Sequence, residues 1–326
     1  MNLFSIERTH IEKMSKCKFC ESANKTFFEA KERMFGIGGE FRYAECLNCG
    51  SLQLDQIPED LSPYYTNFDY YSFGKLIESS PFFRFLKAMR MRAFLLTGNS
   101  QISPSYGYWM KKVHPGFGAK IADVGCGNGQ LLYELYASGF SDLHGFDPFI
   151  QKSVIINSCL QLHKQKIEDT DLKFDLIMMH HSFEHMEDAG QILKTCFENL
   201  NPGGKLLIRT PVTDGEVWKT KRELWVQLDA PRHLIIPSIS GFSTLAEKTG
   251  FQLDEVEFDS TGVQFWGTEL YEKGLPLDQR ILGKHFDDVT MRTFTEKANR
   301  YNQQGKGDQV CFYLRKKIRS APTMPV

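Results

Sequence analysis

The sequence predicts an α/β protein organised around a doubly wound, largely parallel sheet. Short apolar runs of strand length alternate with stretches of helical periodicity from about residue 113 onward. One run, residues 121–124, leads directly into a glycine-rich turn. Another, residues 174–179, is apolar at most positions, as expected for a central strand that is covered on both faces. Together these patterns indicate strand–helix alternation with ligands at the carboxyl edge of the sheet.

Composition narrows the class of protein. The chain has 326 residues and a formal net charge of −1, so no bulk attraction to nucleic acid or to an anionic membrane is expected. No apolar run reaches the roughly 18 residues that a membrane span needs. Residues 1–16 are polar and charged, without the apolar core of a signal peptide. We therefore expect a cytoplasmic protein.

Four cysteines near the N-terminus form two C-x2-C pairs. They are Cys17, Cys20, Cys46 and Cys49. Each short turn directs two thiolates to one centre, and two turns complete a tetrahedral site that suits Zn²⁺. Two disulfides or a redox motif are the alternatives, and both fit a cytosolic chain poorly. We predict a structural zinc ribbon over residues 1–56, with strands at 25–33 and 40–45.

Residues 57–112 are predicted to connect this ribbon to the main domain. The segment 63–73 is rich in tyrosine and phenylalanine, which either pack the ribbon onto the next domain or line a substrate pocket. Residues 81–96 have helical spacing with interleaved arginine and lysine. We expect an amphipathic helix that lies on the core and exposes its charges.

The main domain begins with the glycine turn. Gly125, Gly127 and Gly129 follow the strand at 121–124 and precede a helix at 130–138. Residues without Cβ permit positive φ and let a ligand approach bare backbone, next to the unpaired N–H groups of a helix N-terminus. Asp147 ends the next strand, 22 positions after Gly125, where a carboxylate can accept ribose hydroxyls. The spacing is G-x-G-x-G, and not the G-x-G-x-x-G of dinucleotide-binding proteins.

The remaining elements follow in order. The third strand is predicted at 160–164, with a shortened or absent crossover helix before it, and the fourth at 174–179. A helix over 189–200 is stopped by Asn201-Pro202-Gly203-Gly204. We predict the fifth strand at 205–211, a helix at 238–250, the sixth strand at 252–258, an insertion over 261–307 and the last strand at 308–314.

The glycine turn, Asp147 and the Asn-Pro-Gly-Gly stop resemble class I S-adenosylmethionine-dependent methyltransferases over about residues 113–260 and the last strand. The resemblance implies a seven-stranded Rossmann-like sheet with an antiparallel last strand in a domain over 113–326. It also implies S-adenosylmethionine as cofactor. The residues it assigns to cofactor binding are Asp123, Gly125, Cys126, Gly127, Gly129, Asp147, Pro148, Ile167, Glu168 and His180.

A zinc ribbon and an aromatic segment ahead of this core resemble sugar methyltransferases of deoxysugar and surface-polysaccharide pathways. The resemblance implies methyl transfer to an oxygen or carbon of a sugar or nucleotide sugar, with nucleic acid an unlikely partner. Family members that methylate carbon carry a Glu-His pair where this chain has Arg232-His233. The missing glutamate argues against methylation by enolisation, and Arg232 is expected to bind a nucleotide diphosphate or an acidic sugar.

A histidine is the expected general base, since its pKa lies near working pH. His233 is the first candidate and His181 the second, with a packing role as the alternative for His233. The stretch His180, His181, Glu184 and His185 is similar in composition to a metal site, but we interpret it as a segment that closes over the cofactor. The rival functions are an RNA-modifying methyltransferase that grips nucleic acid with the ribbon, and a non-catalytic binding protein.

Overall fold

The computed structural model describes residues 16–65 and 74–317. The predictions for residues 66–73 of the aromatic segment lie outside the described residues. The strands are β1 (Lys25–Lys31), β2 (Glu40–Cys46), β3 (Leu52–Leu54), β4 (Lys120–Val124), β5 (Asp142–Phe146), β6 (Val154–Asn157), β7 (Leu160–His163), β8 (Phe174–His180), β9 (Leu200–Pro211), β10 (Ile235–Ile236), β11 (Phe251–Phe258) and β12 (Gln309–Lys316). The helices are α1 (Pro81–Thr97), α2 (Gly107–Val113), α3 (Gln130–Ala137), α4 (Ala189–Asn199), α5 (Glu216–Lys221), α6 (Ile239–Lys248), α7 (Val263–Glu272), α8 (Leu282–His285) and α9 (Asp288–Gln303).

The main sheet has the strand order β11-β12-β9-β8-β4-β5-β7-β6. Strands β9, β8, β4, β5 and β7 pair in parallel, and β12 lies antiparallel to both β9 and β11. The predicted α/β sheet with an antiparallel last strand is therefore confirmed. Within the described residues this sheet has eight strands and not seven, because a hairpin partner, β6, takes the place of the shortened crossover helix.

The two faces of the sheet bury separate apolar clusters, which explains why the central strands read as continuous apolar runs. Ile177 and Met179 of β8 face one cluster, together with Leu193 of α4. Met178 faces the other, together with Leu132 of α3. Because consecutive side chains of a strand point to opposite faces, each residue of β8 needs an apolar partner.

Helix α4 shows how local sequence sets an element boundary. The Asp188 side chain accepts a hydrogen bond from the Gln191 amide at 2.9 Å, which caps the N-terminus. The helix ends at Asn199, and β9 begins at Leu200, so the Asn-Pro-Gly-Gly segment belongs to the start of the strand. Gly203 has φ of +74° there, a conformation that favours glycine.

The second sheet joins the N-terminal ribbon to the main domain. Its order is β1-β2-β3-β10, all antiparallel neighbours. The strands β1 and β2 were predicted, but β10 was not, since it consists of only two residues that lie far from β3 in the sequence. The ribbon sheet thus takes its fourth strand from the main domain.

Helix α1 forms as predicted but is oriented differently. Ser80 caps its N-terminus, and Gly98 ends it with φ of +67°. Only Met91 and Phe94 of this helix are buried, whereas Phe82 and Phe85 are 66% and 63% exposed. The expectation that the apolar face lies on the core is therefore wrong for the N-terminal half of the helix.

Two further findings complete the fold. The insertion after β11 is helical, and its residues Phe265 and Tyr271 pack with Trp218 and Trp225 in a cluster that also includes Tyr43 of the ribbon. Among the described residues, no helix combines the length and hydropathy that a membrane span requires. The proposed boundaries at residues 56 and 112 stay predictions.

Candidate active site

The glycine turn lies between β4 and α3, at the carboxyl edge of the sheet. Gly125, Gly127 and Gly129 have φ of +76°, +51° and +79°. The Gly125 amide donates to the Phe146 carbonyl at 2.8 Å, which ties the turn to β5. A Cβ at Gly125 would lie 2.5 Å from the Cβ of Ser182, so only glycine fits this position. The turn presents bare backbone, as the sequence predicts.

Two buried carboxyl groups flank the turn. Asp147 lies directly after β5, and its Oδ2 accepts a hydrogen bond from the Gly127 amide at 3.0 Å. Its Oδ1 accepts from the Phe149 amide at 2.8 Å. Burial, with the neighbouring charge of Asp147, raises the pKa of Asp123 to about 8. Asp123 is therefore protonated at neutral pH and has a hydroxyl to donate.

Buried polar atoms without a hydrogen-bond partner lie at the end of β8, the strand next to β4. His180, at the end of β8, has two buried ring nitrogens without a hydrogen-bond partner in the described structure. The indole nitrogen of Trp109 is also buried without a hydrogen-bond partner in the described structure. The centroids of the Trp109 and His180 rings are 4.4 Å apart. Burial lowers the pKa of His180 to about 3, so its ring is neutral. A polar ligand at this edge would satisfy these atoms.

The other residues assigned to the cofactor are placed less favourably. The Cys126 side chain is buried in the apolar cluster beside Gly145, so only its backbone faces the turn. Pro148 is half-buried next to Asp147. Ile167 has no exposed surface and packs in the core, while Glu168 is exposed. Contact of Ile167 with an adenine ring would require this turn to move.

Glu184 is the central anion of the histidine-rich stretch. It is fully buried, and it accepts hydrogen bonds from the Thr210 hydroxyl at 3.0 Å and from His181 Nδ1 at 3.2 Å. Burial opposes ionisation, but the hydrogen bond from His181 and the nearby imidazoles lower the pKa of Glu184 to about 2. The carboxylate is ionised at neutral pH and fixed by both neighbours.

His181 has hydrogen bonds at both ring nitrogens. Arg209 Nη1 donates to its Nε2 at 2.6 Å, because a guanidinium can only donate. The proton of the ring then lies on Nδ1, which donates to Glu184. His181 also has φ of +52°, a conformation rare for a residue with a side chain. The ring therefore has no free lone pair with which to accept a proton from a substrate.

His233 has the opposite arrangement. Its Nδ1 lies 2.7 Å from the Gln227 carbonyl and must donate to it. The Nε2 lone pair is then free, 3.8 Å from Asp229 Oδ2. Burial lowers the pKa of His233 to about 4, so the ring is neutral at pH 7. The free lone pair can accept a proton, but the lowered pKa makes His233 a weaker base than the ordinary histidine expected from the sequence.

His185 completes this group. Its Nδ1 lies 2.8 Å from the Arg232 carbonyl and 3.3 Å from the Tyr65 hydroxyl. The rings of His185 and His233 are 4.9 Å apart, edge to face. Glu184, His185 and His233 each offer a ligand atom within 4.8 Å of the others. Sequence reasoning missed Asp229 and Trp109 as members of the site, since neither belongs to a local motif.

Arg232 does not face a ligand. Its side chain has no exposed surface and donates to Asp229 at 2.6 Å and to Glu32 of the ribbon at 3.0 Å. A further bond joins it to the Tyr64 carbonyl at 3.2 Å. A guanidinium with three protein acceptors cannot reach a diphosphate without leaving buried carboxylates unpaired. The expectation that Arg232 binds a nucleotide diphosphate or an acidic sugar is wrong.

The four N-terminal cysteines converge as predicted. Their sulfur atoms all lie within 4.8 Å of one another, with Cys17 and Cys49 at 3.7 Å and Cys20 and Cys46 at 3.5 Å. Four thiols around one centre match the donor set of a closed tetrahedral zinc site. None of the four forms a disulfide.

Comparison with known proteins identifies the class. A family model described as "Methyltransferase domain" matches residues 87–256, more than half of the chain. The chain is 28% identical over 153 residues to the tRNA U34 carboxymethyltransferase of Sulfurovum sp. (strain NBC37-1), covering 43% of this chain and 50% of that protein. It is 29% identical over 115 residues to the ubiquinone biosynthesis O-methyltransferase of Azorhizobium caulinodans, covering 32% and 45%. The chain spans about half the length of the curated relatives it matches.

A further relative and one solved structure extend this result. The tRNA U34 carboxymethyltransferase of Campylobacter hominis is 33% identical over 111 residues, which cover 30% of this chain and 38% of that protein. An S-adenosylmethionine-dependent methyltransferase from Mesorhizobium loti is 15% identical with a TM-score of 0.44, covering 65% of this chain and 98% of the other.

These names correct the predicted acceptor. The first relatives are named for the modification of tRNA, and none of the three relatives is named for a sugar. The predictions of a sugar or nucleotide-sugar acceptor, of a role in polysaccharide biosynthesis and of nucleic acid as an unlikely partner are therefore wrong. Neutral net charge misled the sequence interpretation, since it averages over the whole surface and does not report on one face of it.

Proposed function

The chain belongs to the methyltransferase-domain family, and we propose that it alkylates a uridine-containing RNA with His233 as the proton acceptor. The prediction of a class I S-adenosylmethionine-dependent methyltransferase is confirmed by the family and the fold. The acceptor is proposed from the curated relatives, whose names specify a uridine of tRNA. These relatives match only part of this chain, so the acceptor has to be tested directly.

The cofactor site is proposed at the edge formed by the glycine turn. When bound, S-adenosylmethionine supplies an activated methyl group on its sulfonium. The Asp147 carboxylate would accept the ribose hydroxyls, in exchange for its bonds to the turn. His180 and Trp109 would satisfy their unpartnered nitrogens on the polar end of the ligand. Gly125, Gly127 and Gly129 would allow close approach of the backbone.

The observation that carries the proposed chemistry is the setting of His233. Its Nε2 lone pair is free, and its neutral form prevails at pH 7. When Nε2 accepts a proton from the acceptor, burial disfavours the resulting imidazolium, and the charges of Asp229, whose Oδ2 lies 3.8 Å from Nε2, and of Glu184 offset part of this cost. The acceptor then has the electron pair with which to attack the methyl group, whose bond to sulfur breaks and leaves a neutral thioether. Positioning supplies the rest of the rate.

His233 is linked to the cofactor edge by a chain of short contacts. The Ser182 hydroxyl donates to the Val124 carbonyl at 2.6 Å, next to the glycine turn. Two residues later, the Glu184 carbonyl accepts from the Leu234 amide at 2.8 Å. Leu234, the residue after His233, is therefore hydrogen-bonded to the turn that follows β8, and Ser182 of the same turn contacts the strand that leads into the glycine turn. This continuity supports the proposal that His233 acts next to the cofactor site.

We also propose that the four cysteines bind one structural zinc ion. The donor set is closed, so the metal would stabilise the ribbon and take no part in the reaction. Zinc analysis of purified protein is expected to give one ion per chain, and none after all four cysteines are replaced by serine. A protein that is folded, monodisperse and free of metal would contradict this proposal.

The acceptor is tested by offering a pool of RNA with isotopically labelled S-adenosylmethionine. After digestion to nucleosides, mass spectrometry is expected to find the labelled methyl group on a uridine derivative. Label in a pool of small molecules, with none in RNA, would overturn the RNA acceptor and leave the methyltransferase class intact.

A further inference from the structure

The ribbon contacts one short segment of the main domain almost continuously. The segment comprises residues 232–238, and it contains His233. The contacts in chain order are Glu32 with Arg232 (3.0 Å), Tyr43 with the His233 carbonyl (2.8 Å), Leu54 with the Leu234 carbonyl (2.8 Å), Gln53 and Leu52 paired with Ile235 and Ile236, and Ser51 with the Ser238 amide (2.8 Å). Six of the seven residues are thus held from the ribbon side.

Tyr43 makes the contact at the histidine itself. It lies in β2, has no exposed surface, and donates its hydroxyl proton to the His233 carbonyl. The His233 ring is held separately, through Nδ1, by the Gln227 carbonyl. Backbone and ring are therefore fixed from two directions. A shift of the backbone would move Nε2 relative to the cofactor edge.

The segment 232–238 is also hydrogen-bonded to the turn after β8, which carries Glu184. The Leu234 amide donates to the Glu184 carbonyl, while its own carbonyl accepts from Leu54. Residue 234 thus connects the ribbon with the histidine-rich stretch. Because both bonds are formed by the backbone of one residue, the position of His233 depends on the ribbon as much as on the sheet.

The cysteine site lies beside the last of these contacts, between Ser51 and Ser238. Cys46 ends the strand that carries Tyr43. Cys49 Sγ lies 3.3 Å from the Ser51 hydroxyl, which accepts the Ser238 amide. Holding the four sulfur atoms together therefore also fixes the end of the ribbon surface that contacts Ser238.

We infer that the ribbon is a positioning element for His233, with Tyr43 as its principal positioning residue. The inference rests on the proposed function, since it assigns to the ribbon a role in presenting the proposed base. It gives the ribbon a task other than gripping nucleic acid. The structure favours this role because the ribbon surface that holds the segment is buried, whereas a nucleic-acid surface has to be exposed.

The test compares Tyr43→Phe with Tyr313→Phe in zinc-loaded protein. Tyr313 of β12 is a matched control, because it is also buried and its hydroxyl donates to Glu257 of β11 at 3.0 Å, away from the ribbon. In Tyr43→Phe we expect amide hydrogen exchange of residues 233–238 to accelerate about tenfold, which corresponds to the loss of one buried hydrogen bond. Exchange of residues 125–129 should not change, and Tyr313→Phe should leave both segments unchanged.

Enzyme kinetics and the pKa of His233 distinguish a loss of positioning of this histidine from a general loosening of the structure. With RNA as acceptor, kcat of Tyr43→Phe is expected to fall about ten- to a hundredfold, with KM and cofactor affinity unchanged. In NMR titrations the pKa of His233 should rise from its low value as the ring leaves its buried setting, and it should not move in Tyr313→Phe.

The outcomes are distinguishable. Unchanged exchange and an unchanged His233 pKa in Tyr43→Phe would overturn the inference, as would faster exchange with a wild-type kcat. If the wild-type enzyme transfers nothing to RNA, the proposed acceptor fails. In that case altered exchange together with the altered His233 pKa would still support the ribbon as the element that positions this histidine.

Discussion

The two halves of the candidate site are constructed in different ways. The cofactor edge is formed by neighbours in the sequence, since the turn, Asp123 and Asp147 all belong to one β4–α3–β5 unit. The setting of His233 is assembled from distant segments. Its carbonyl is held by Tyr43, 190 positions away, and Glu184 lies on the turn after β8.

Because the two halves of the candidate site are built from different segments, we expect them to respond differently to mutation. A cofactor site within one local unit can be retained while the acceptor side changes, which fits relatives that match only about half of their own length. The proposed acceptor side around His233 depends on the ribbon and on the segment 232–238. We therefore expect mutations in the first half to affect cofactor binding, and mutations in the second to affect turnover or stability.

The largest expected effect is that of His233→Ala. Removal of the proposed base should lower kcat by about two to four orders of magnitude and leave cofactor affinity unchanged. Transfer rates at saturating cofactor check this prediction, with His285→Ala as control, since His285 is exposed on α8. Full turnover of His233→Ala would give the histidine a packing role instead.

Asp147→Ala should, in contrast, weaken binding of the cofactor. Loss of two charge-assisted hydrogen bonds to a ribose is expected to weaken cofactor binding roughly a hundredfold or more. Calorimetry with S-adenosylhomocysteine measures this effect directly. Glu168→Ala is the control, because this exposed side chain should change affinity little. Equal losses in both variants would favour the adenine contact that the sequence resemblance implied.

Arg232→Met should affect stability and not ligand binding. It leaves Asp229 and Glu32 without their buried partner, which typically costs about 3–5 kcal/mol of unfolding free energy. Arg315→Met removes an exposed pair with Asp254 and should cost about 0–1 kcal/mol. Urea unfolding of the wild type, Arg232→Met and Arg315→Met measures the three free energies of unfolding. A stable Arg232→Met protein with weakened ligand binding would contradict the structural role.

Asp123→Asn should have an effect on stability that depends on pH. The pKa of Asp123 is raised from 3.8 to about 8, so the folded chain keeps a proton that the unfolded chain releases. Stability from this group is full below about pH 4 and is lost as pH rises to about 8, at up to about 1.4 kcal/mol per pH unit. Measured from about pH 4 to 8, the free energy of unfolding should fall less with rising pH in Asp123→Asn than in the wild type. Identical slopes would rule out the raised pKa.

The elements that could be predicted from the sequence are those with local signals. The strand at 120–124, its glycine turn and Asp147 follow from apolar runs, positive φ and a fixed spacing. The four cysteines were recognisable because paired thiolates two residues apart have a narrow set of uses. In each case the partners lie within about one supersecondary unit.

What escaped prediction depends on contacts between distant segments. The strand β10 has two residues and becomes a strand only because β3 lies beside it. The burial of Arg232 could not be foreseen, since its partner Glu32 is 200 positions away. Helical spacing identified the apolar residues of α1, but spacing cannot show whether another element covers them.

The most direct test of the account is a single-turnover experiment with RNA and labelled S-adenosylmethionine, in which wild type and His233→Ala are compared at equal cofactor occupancy. We predict that label appears on uridine in the wild type, and that the variant binds the cofactor equally well but transfers the labelled methyl group at least about a hundredfold more slowly. Equal transfer by both proteins, or label that never enters RNA, would contradict it.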